Sequence, residues 1–265
     1  MALEDNFADV LGKAQRGLAL ADSEVVARAG VSAAEFQRVH EEQFNPAVIR
    51  KLAPVLGLNA QALVELPQYQ PTPVALDGLT AFHSHYGEML VNSYLIWDSE
   101  AAEAVAFDTG TDSKPMLEFL RDHGLTLRCI LLTHTHGDHV YDLDRLRERT
   151  GSRAYVSNRE PLRGAEGFDA GQEFACGKLL IETRLTWGHS RGGTTYVVHG
   201  LKRPVAVVGD ALFAGSMGGG MASYADALRT NREQILTLPS EAVLCPGHGP
   251  LTTVAEERLH NPFFA

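Results

Sequence analysis

Thr133-His134-Thr135-His136-Gly137-Asp138-His139 is the stretch whose reading decides this chain. It follows the apolar run Cys129-Ile130-Leu131-Leu132, which reads as a buried strand. It precedes Tyr141 to Arg149, where Leu143 and Leu146 recur at helical spacing. Four side chains able to bind a metal therefore fall in one turn at the end of a strand. A lone His-x-His is commonly a solvated turn. Here an Asp-His pair follows at once, and Gly137 lets the backbone fold the side chains inward. The segment is expected to be part of a metal site.

Working outward, three later stretches repeat one grammar of strand, glycine and ligand. Trp187-Gly188-His189-Ser190 offers His189 after a strand over 179–185. Val207-Val208-Gly209-Asp210 offers Asp210 after an apolar strand, and Cys245-Pro246-Gly247-His248-Gly249 offers His248 after the last one. Each alone reads as a capped turn; together with 134–139 they form a specific set. Seven side chains suffice for two adjoining divalent ions. His134, His136 and His189 would hold the first, Asp138, His139 and His248 the second, and Asp210 could bridge them. Imidazole and carboxylate ligands without thiolate suit zinc and also tolerate iron or manganese. Two such ions can share a bridging hydroxide whose pKa is lowered to about 7, a nucleophile at neutral pH.

These residues, in this order, resemble the metallo-β-lactamase superfamily, and the resemblance covers about 79 to 265. It implies an α/β (α+β) fold, a four-layer αββα sandwich with the metals at one edge of two sheets. Gly209-Asp-Ala-Leu-Phe-Ala-Gly-Ser216, Pro246-Gly-His-Gly-Pro250 and Glu257-Arg-Leu-His-Asn-Pro-Phe263 are similar to its glyoxalase II-like branch. That similarity implies hydrolysis of a thioester of the hydroxyacylglutathione type, or of a related acyl ester. Asp138, His134, His136 and Asp210 would carry the chemistry. The chain departs from the branch in three places: Gly219-Gly220-Met221 stands where a cationic residue is usual, Trp187 replaces a proline, and a helical N-terminal unit is added. Relatives with similar motifs hold one iron by two His and one Asp, so a persulfide dioxygenase is the alternative enzyme. Lactonase and phosphodiesterase activities also fall within the superfamily.

Upstream, residues 1–66 read as five short helices. Phe7, Val10, Leu11, Ala14 and Leu18 form an apolar stripe. Asp22 or Ser23 is expected to cap a second helix ending at Gly30, and Ser32-Ala-Ala-Glu35 is a capping box for a third. Asn45-Pro46 and Asn59 open two more. The pattern resembles the repressor-type helix-turn-helix family, which implies a DNA-binding regulator as a further alternative. The presumptive reading positions are Ala33, Ala34 and Gln37, and the segment holds nine acidic against six basic residues, a net of −3. A helical cap used for packing, for contact in a homo-oligomer, or for shaping the site mouth is the preferred reading, with no nucleic-acid partner. Pro67-Gln-Tyr-Gln-Pro71-Thr-Pro73 is a stiff linker. The expected organisation is 1–66 helical domain, 67–78 linker and 79–265 catalytic domain.

The balance of the chain agrees. A net charge of −10 argues against nucleic acid or an anionic membrane as main partner. Three unpaired cysteines and no basic, apolar leader suit a cytoplasmic protein acting on a small molecule. Residues 158–171, with three glycines, read as a loop, and 223–238 and 252–259 each as a helix. His83, His85, His199, Cys245 and Tyr224 are read as structural, and His260 as the holder of a structural hydrogen bond.

Overall fold

A computed structural model describes all 265 residues. Five helices open it: α1 (Phe7–Gly17), α2 (Asp22–Ala29), α3 (Ala33–His40), α4 (Pro46–Val55) and α5 (Ala60–Glu65). The caps follow the sequence closely. Asn6, Ser32, Asn45 and Asn59 accept from the first turns of α1, α3, α4 and α5. α2 differs: its N-cap is Ala21, whose methyl side chain cannot accept a bond, and the Asp22 carboxylate at the next position accepts from Gln15.

Two six-stranded sheets follow. The first comprises β1 (Leu79–Tyr86), β2 (Met89–Asp98), β3 (Glu103–Phe107), β4 (Thr126–Leu131), β5 (Arg153–Ser157) and β6 (Ala165–Phe168), in spatial order. β1 to β3 run antiparallel, and β3 to β6 are mutually parallel. Between them lie α6 (Lys114–Asp122), the single turn α7 (Gly137–Val140) and α8 (Leu143–Thr150). The second comprises β7 (Glu173–Cys176), β8 (Leu179–Leu185), β9 (Thr194–His199), β10 (Val205–Gly209), β11 (Val243–Pro246) and β12 (Thr252–Thr253), again as neighbours in order. α9 (Tyr224–Thr230) and α10 (Val254–His260) complete the chain.

Period-two alternation builds the layers. Tyr94, Ile96, Cys129 and Leu131 point between the sheets, meeting Ile181, Tyr196, Val207 and Cys245. Their neighbours Leu95, Ile130 and Leu132 point outward onto Met116, Leu143 and Leu146 of α6 and α8. On the other side Ala206, Val208 and Leu244 meet Ile235, Leu236 and Val254. The result is helix, sheet, sheet, helix. Both faces of the central strands are buried, which is why they read as continuous apolar runs. No helix is long and apolar enough to cross a membrane.

Three segments differ from the expectation. Residues 165–168, inside the expected loop, pair with β5 as an edge strand. Only Phe168 there is buried, so no alternation marked it. The helix expected over 223–238 leaves α geometry at Asn231–Ile235, a π turn in which buried Asn231 donates to the Ala211 carbonyl at 2.7 Å. The helix expected from Thr252 starts at Val254, because Thr252 pairs with Leu244.

The five N-terminal helices do not close a core alone. Val10, Leu11, Leu52 and Leu63 pack with Met217, Tyr224, Ala227 and Phe263 from the other end of the chain. The Asn59 amide donates to the Pro262 carbonyl at 2.7 Å. Linker residue Tyr69 stacks on His260, 4.8 Å between centroids, and donates toward Glu257. His260 therefore packs against an aromatic ring, where a structural hydrogen bond was the expectation, and Asn261 beside it supplies the bonds to Ser216 and Glu257.

Candidate metal centre

β3, β4, β10 and β11 end at one edge, and their C-terminal loops converge there. This is where open α/β sheets generally bind ligands. The structure brings all seven expected residues together in two groups, His134, His136, His189 and Asp210, and Asp138, His139 and His248. Within the first group the His136 Nδ1 is 3.1 Å from His134 Nε2 and 3.0 Å from His189 Nε2, while Asp210 Oδ2 is 3.4 Å from His189 Nε2. Within the second, Asp138 Oδ2 is 3.2 Å from His248 Nε2 and 3.5 Å from His139 Nε2. Asp210 reaches across: Oδ1 is 3.2 Å from His139 Nε2, and Oδ2 is 3.5 Å from His248 Nε2.

Hydrogen bonds behind the rings decide which nitrogens face inward. His139 Nδ1 meets the Asp108 carboxylate at 2.8 Å, His248 Nδ1 the Leu90 carbonyl at 2.8 Å, and His189 Nδ1 the Gly219 carbonyl at 3.0 Å. These oxygens only accept, so each Nδ1 carries the proton. Thr133 Oγ1 spends its own proton on Asp108, so at 3.0 Å it accepts from His134 Nδ1. In the neutral rings four Nε2 lone pairs thus point into the centre. His136 Nδ1 can donate to only one of the two Nε2 atoms about 3 Å from it, and a cation among them would relieve the other contact. Atoms bound tetrahedrally at 2.0–2.1 Å stand about 3.3 Å apart, close to the spacings found. Buried His139 Nε2 and Asp210 Oδ1 have no hydrogen-bond partner, as expected of atoms reserved for an ion. The donor set fits a pair of divalent metals.

Electrostatics divides the rings. Burial pushes His134 well below the ordinary histidine range, and also lowers His189, so both are neutral donors. Burial also works against charge on His139, but Asp210 and Asp108 outweigh it and raise its pKa to about 10. His248 is raised to about 11, burial being outweighed by Asp138 and Asp210. Without metal these two rings hold protons at neutral pH, and loading must expel them.

Close approach explains two glycines. A Cβ on Gly247 would lie 2.1 Å from Asp210 Oδ1 and 2.6 Å from His139 Cε1; one on Gly218 would lie 2.8 Å from His189 Nδ1. Sequence reading missed the supporting residues. Asp108 follows β3 and precedes Gly110, the same strand-end signal that marked the ligands. Glu160, on the segment after β5, accepts from Thr135 Oγ1 at 2.6 Å and the Gly192 amide at 2.8 Å, tying two ligand loops together. No local signal marked it. His83 bonds Asn92, and Tyr224 packs on Gly17, as the structural readings had it.

Comparisons with known proteins agree with this arrangement. The chain is 30% identical over 203 residues to the probable metallo-hydrolase YqgX of Bacillus subtilis, covering 67% of this chain and 93% of the relative. It is 27% identical over 197 residues to the hydroxyacylglutathione hydrolase GloC of Haemophilus influenzae, covering 65% and 92%. It is 29% identical over 181 residues to the human mitochondrial persulfide dioxygenase ETHE1, covering 64% and 70%. Among solved structures, the BLEG-1 B3 metallo-beta-lactamase superposes with a TM-score of 0.61 at 27% identity, over 70% of this chain and all of that one. The family model for the metallo-beta-lactamase superfamily matches residues 86–248, the span that carries every ligand loop, and the chain belongs to that superfamily.

Proposed function

We propose that this chain is a dinuclear metallohydrolase of thioesters or related acyl esters, with zinc as the expected metal. His134, His136, His189 and Asp210 would hold one ion, Asp138, His139 and His248 the other, with Asp210 serving both. The observation that carries this reading is the inward convergence of the Nε2 atoms, each fixed by a bond behind its ring. Bound ions of this kind supply Lewis acidity and bring the pKa of water down to about 7. The chain's own part is positional. Asp108, Leu90, Gly219 and Thr133 hold the rings, and Gly247 keeps backbone bulk out of the centre. Likeness to GloC and the glyoxalase II-like segments supports the thioester class.

The test pairs metal content with turnover on one sample, using S-lactoylglutathione and a neutral N-acetylcysteamine thioester. Two equivalents of metal with hydrolysis of either substrate support the reading. A single iron, no hydrolysis, and oxygen consumption with glutathione persulfide would replace it with the dioxygenase activity named for ETHE1. A salt-sensitive mobility shift on duplex DNA would instead favour a regulator, against the acidic balance of 1–66.

A further inference from the structure

The segment ahead of α1 reaches the metal-centre loops. Asp5 accepts from Ser216 Oγ and pairs with Lys13, whose ammonium also donates to the Met217 carbonyl at 2.9 Å. Ser216 and Met217 lead into Gly219, the residue that holds His189. This anchor fixes the position of residue 4. A Cβ built on Gly249, directly after His248, would lie 3.2 Å from the Glu4 amide nitrogen and 3.5 Å from its Cβ. Burial raises the Glu4 pKa, with His248 and Lys13 acting against it and Asp5 and Asp210 with it.

Glu4 lines a cleft of about 980 Å³ between this segment, the linker and β1–β2. Leu66, Val74, Ala81 and Leu251 give it apolar walls. Its charged side chains are Glu4, Asp5 and Asp9, with no lysine or arginine, and Met1 with its terminal amino group belongs to the same lining. Its one basic side chain, His83, is engaged by Asn92 at 2.7 Å. Lys13 neutralises Asp5, and Asp9 receives the Asn6 amide. Glu4 has no ion-pair partner. Across the centre, Gly219 and Gly220 offer no cation either. An anionic group entering here meets the Glu4 carboxylate, and no lysine or arginine side chain lines the cleft to bind it.

We propose that Glu4, seated on the His248 loop by the Asp5–Ser216–Lys13 anchor, is a specificity-determining residue. It turns away anionic substrates and selects neutral or cationic acyl thioesters and esters for the adjoining cleft. This rests on the hydrolase reading above and narrows it to a substrate class.

The test uses metal-loaded full-length protein, wild type and Glu4→Gln, Glu4→Lys and Glu148→Lys. Glu148 is exposed, has no ion pair, and lies on α8, so it controls for net charge. Two thioesters share one acyl group, carried on glutathione or on neutral N-acetylcysteamine. Wild type is expected to favour the neutral thioester by about tenfold in kcat/KM, acting through KM. E4Q narrows that ratio, E4K brings it near unity, E148K leaves it alone, and added salt narrows it in wild type but not in E4Q. One ratio for all four proteins, or a wild-type preference for the glutathione thioester, overturns the proposal. If neither substrate is hydrolysed, the thioesterase reading fails and calorimetry with S-methylglutathione decides. Binding about tenfold tighter to E4K than to wild type sustains the charge filter, and equal binding overturns it.

Discussion

The Nδ1 of His139 donates to Oδ2 of Asp108 over 2.8 Å, and Asp108 makes that contact from a left-handed backbone, φ 57°. The same carboxylate accepts from the Thr133 amide and hydroxyl, both at 2.7 Å. One acid thus sets the entry of the ligand loop and the tautomer of two rings, His139 directly and His134 through Thr133. A left-handed non-glycine residue costs about 1 kcal/mol, a strain retained only where its surroundings enforce it.

Asp108→Asn should weaken metal binding about 10–100-fold with the fold intact, since Asn tolerates this backbone but loses the charge behind His139. Competition with a chelator of known affinity measures it. Unchanged affinity would show that His139 is held by packing alone.

Asp138→Ala should lower hydrolysis by orders of magnitude and drop metal content from about two equivalents towards one, because Asp138 serves only the second group. The near-UV spectrum should stay native. Near-normal turnover would sink the two-metal scheme.

Glu257 is fully buried beneath Tyr69, and burial lifts its pKa to about 7, against bonds from Thr252, Asn261 and the Gly215 amide. A carboxyl raised in the folded state adds stability below its unfolded pKa near 4.5 and loses it as pH rises through about 7. The stability difference between wild type and Glu257→Gln should therefore fall with pH across that window, by on the order of 3 kcal/mol. Denaturation midpoints at pH 4.5 and 7.5 check it. A flat difference would mean that the four donors keep Glu257 ionised throughout.

Gly17 faces Tyr224: a Cβ there would lie 2.2 Å from the ring. Gly17→Ala should cost about 1–3 kcal/mol by overpacking the seam between α1 and α9. Adding Tyr224→Leu should recover part of that cost, giving a coupling term in a double-mutant cycle. Purely additive effects would place the two residues out of contact in solution.

Local chemistry explains what the sequence disclosed. Ser32, Asn45 and Asn59 sit at helix starts because their oxygens satisfy free amides, a relation spanning three residues. The Gly-flanked His and Asp residues at strand ends, which the structure brings together, were legible because that pattern is local too. Asp108 bore the strand-end signal without an adjacent glycine, and Glu160 and Glu257 bore none, because their partners lie 25 or more residues away, apart from Asn261 and Thr252. The stiff stretch 67–73 read as a boundary, yet the apolar seam crosses it, since an amphipathic stripe does not say which surface it will meet.

That seam imposes an order of assembly. Val10 and Leu11 leave the ribosome more than 210 residues ahead of Tyr224 and Phe263. At 5–20 residues per second the helices wait roughly 10–40 s for the surface that completes them. Over that interval their apolar face is open to chaperones or to a neighbouring nascent chain. Slow translation or early termination should therefore damage the helical unit, although its own codons have already been read.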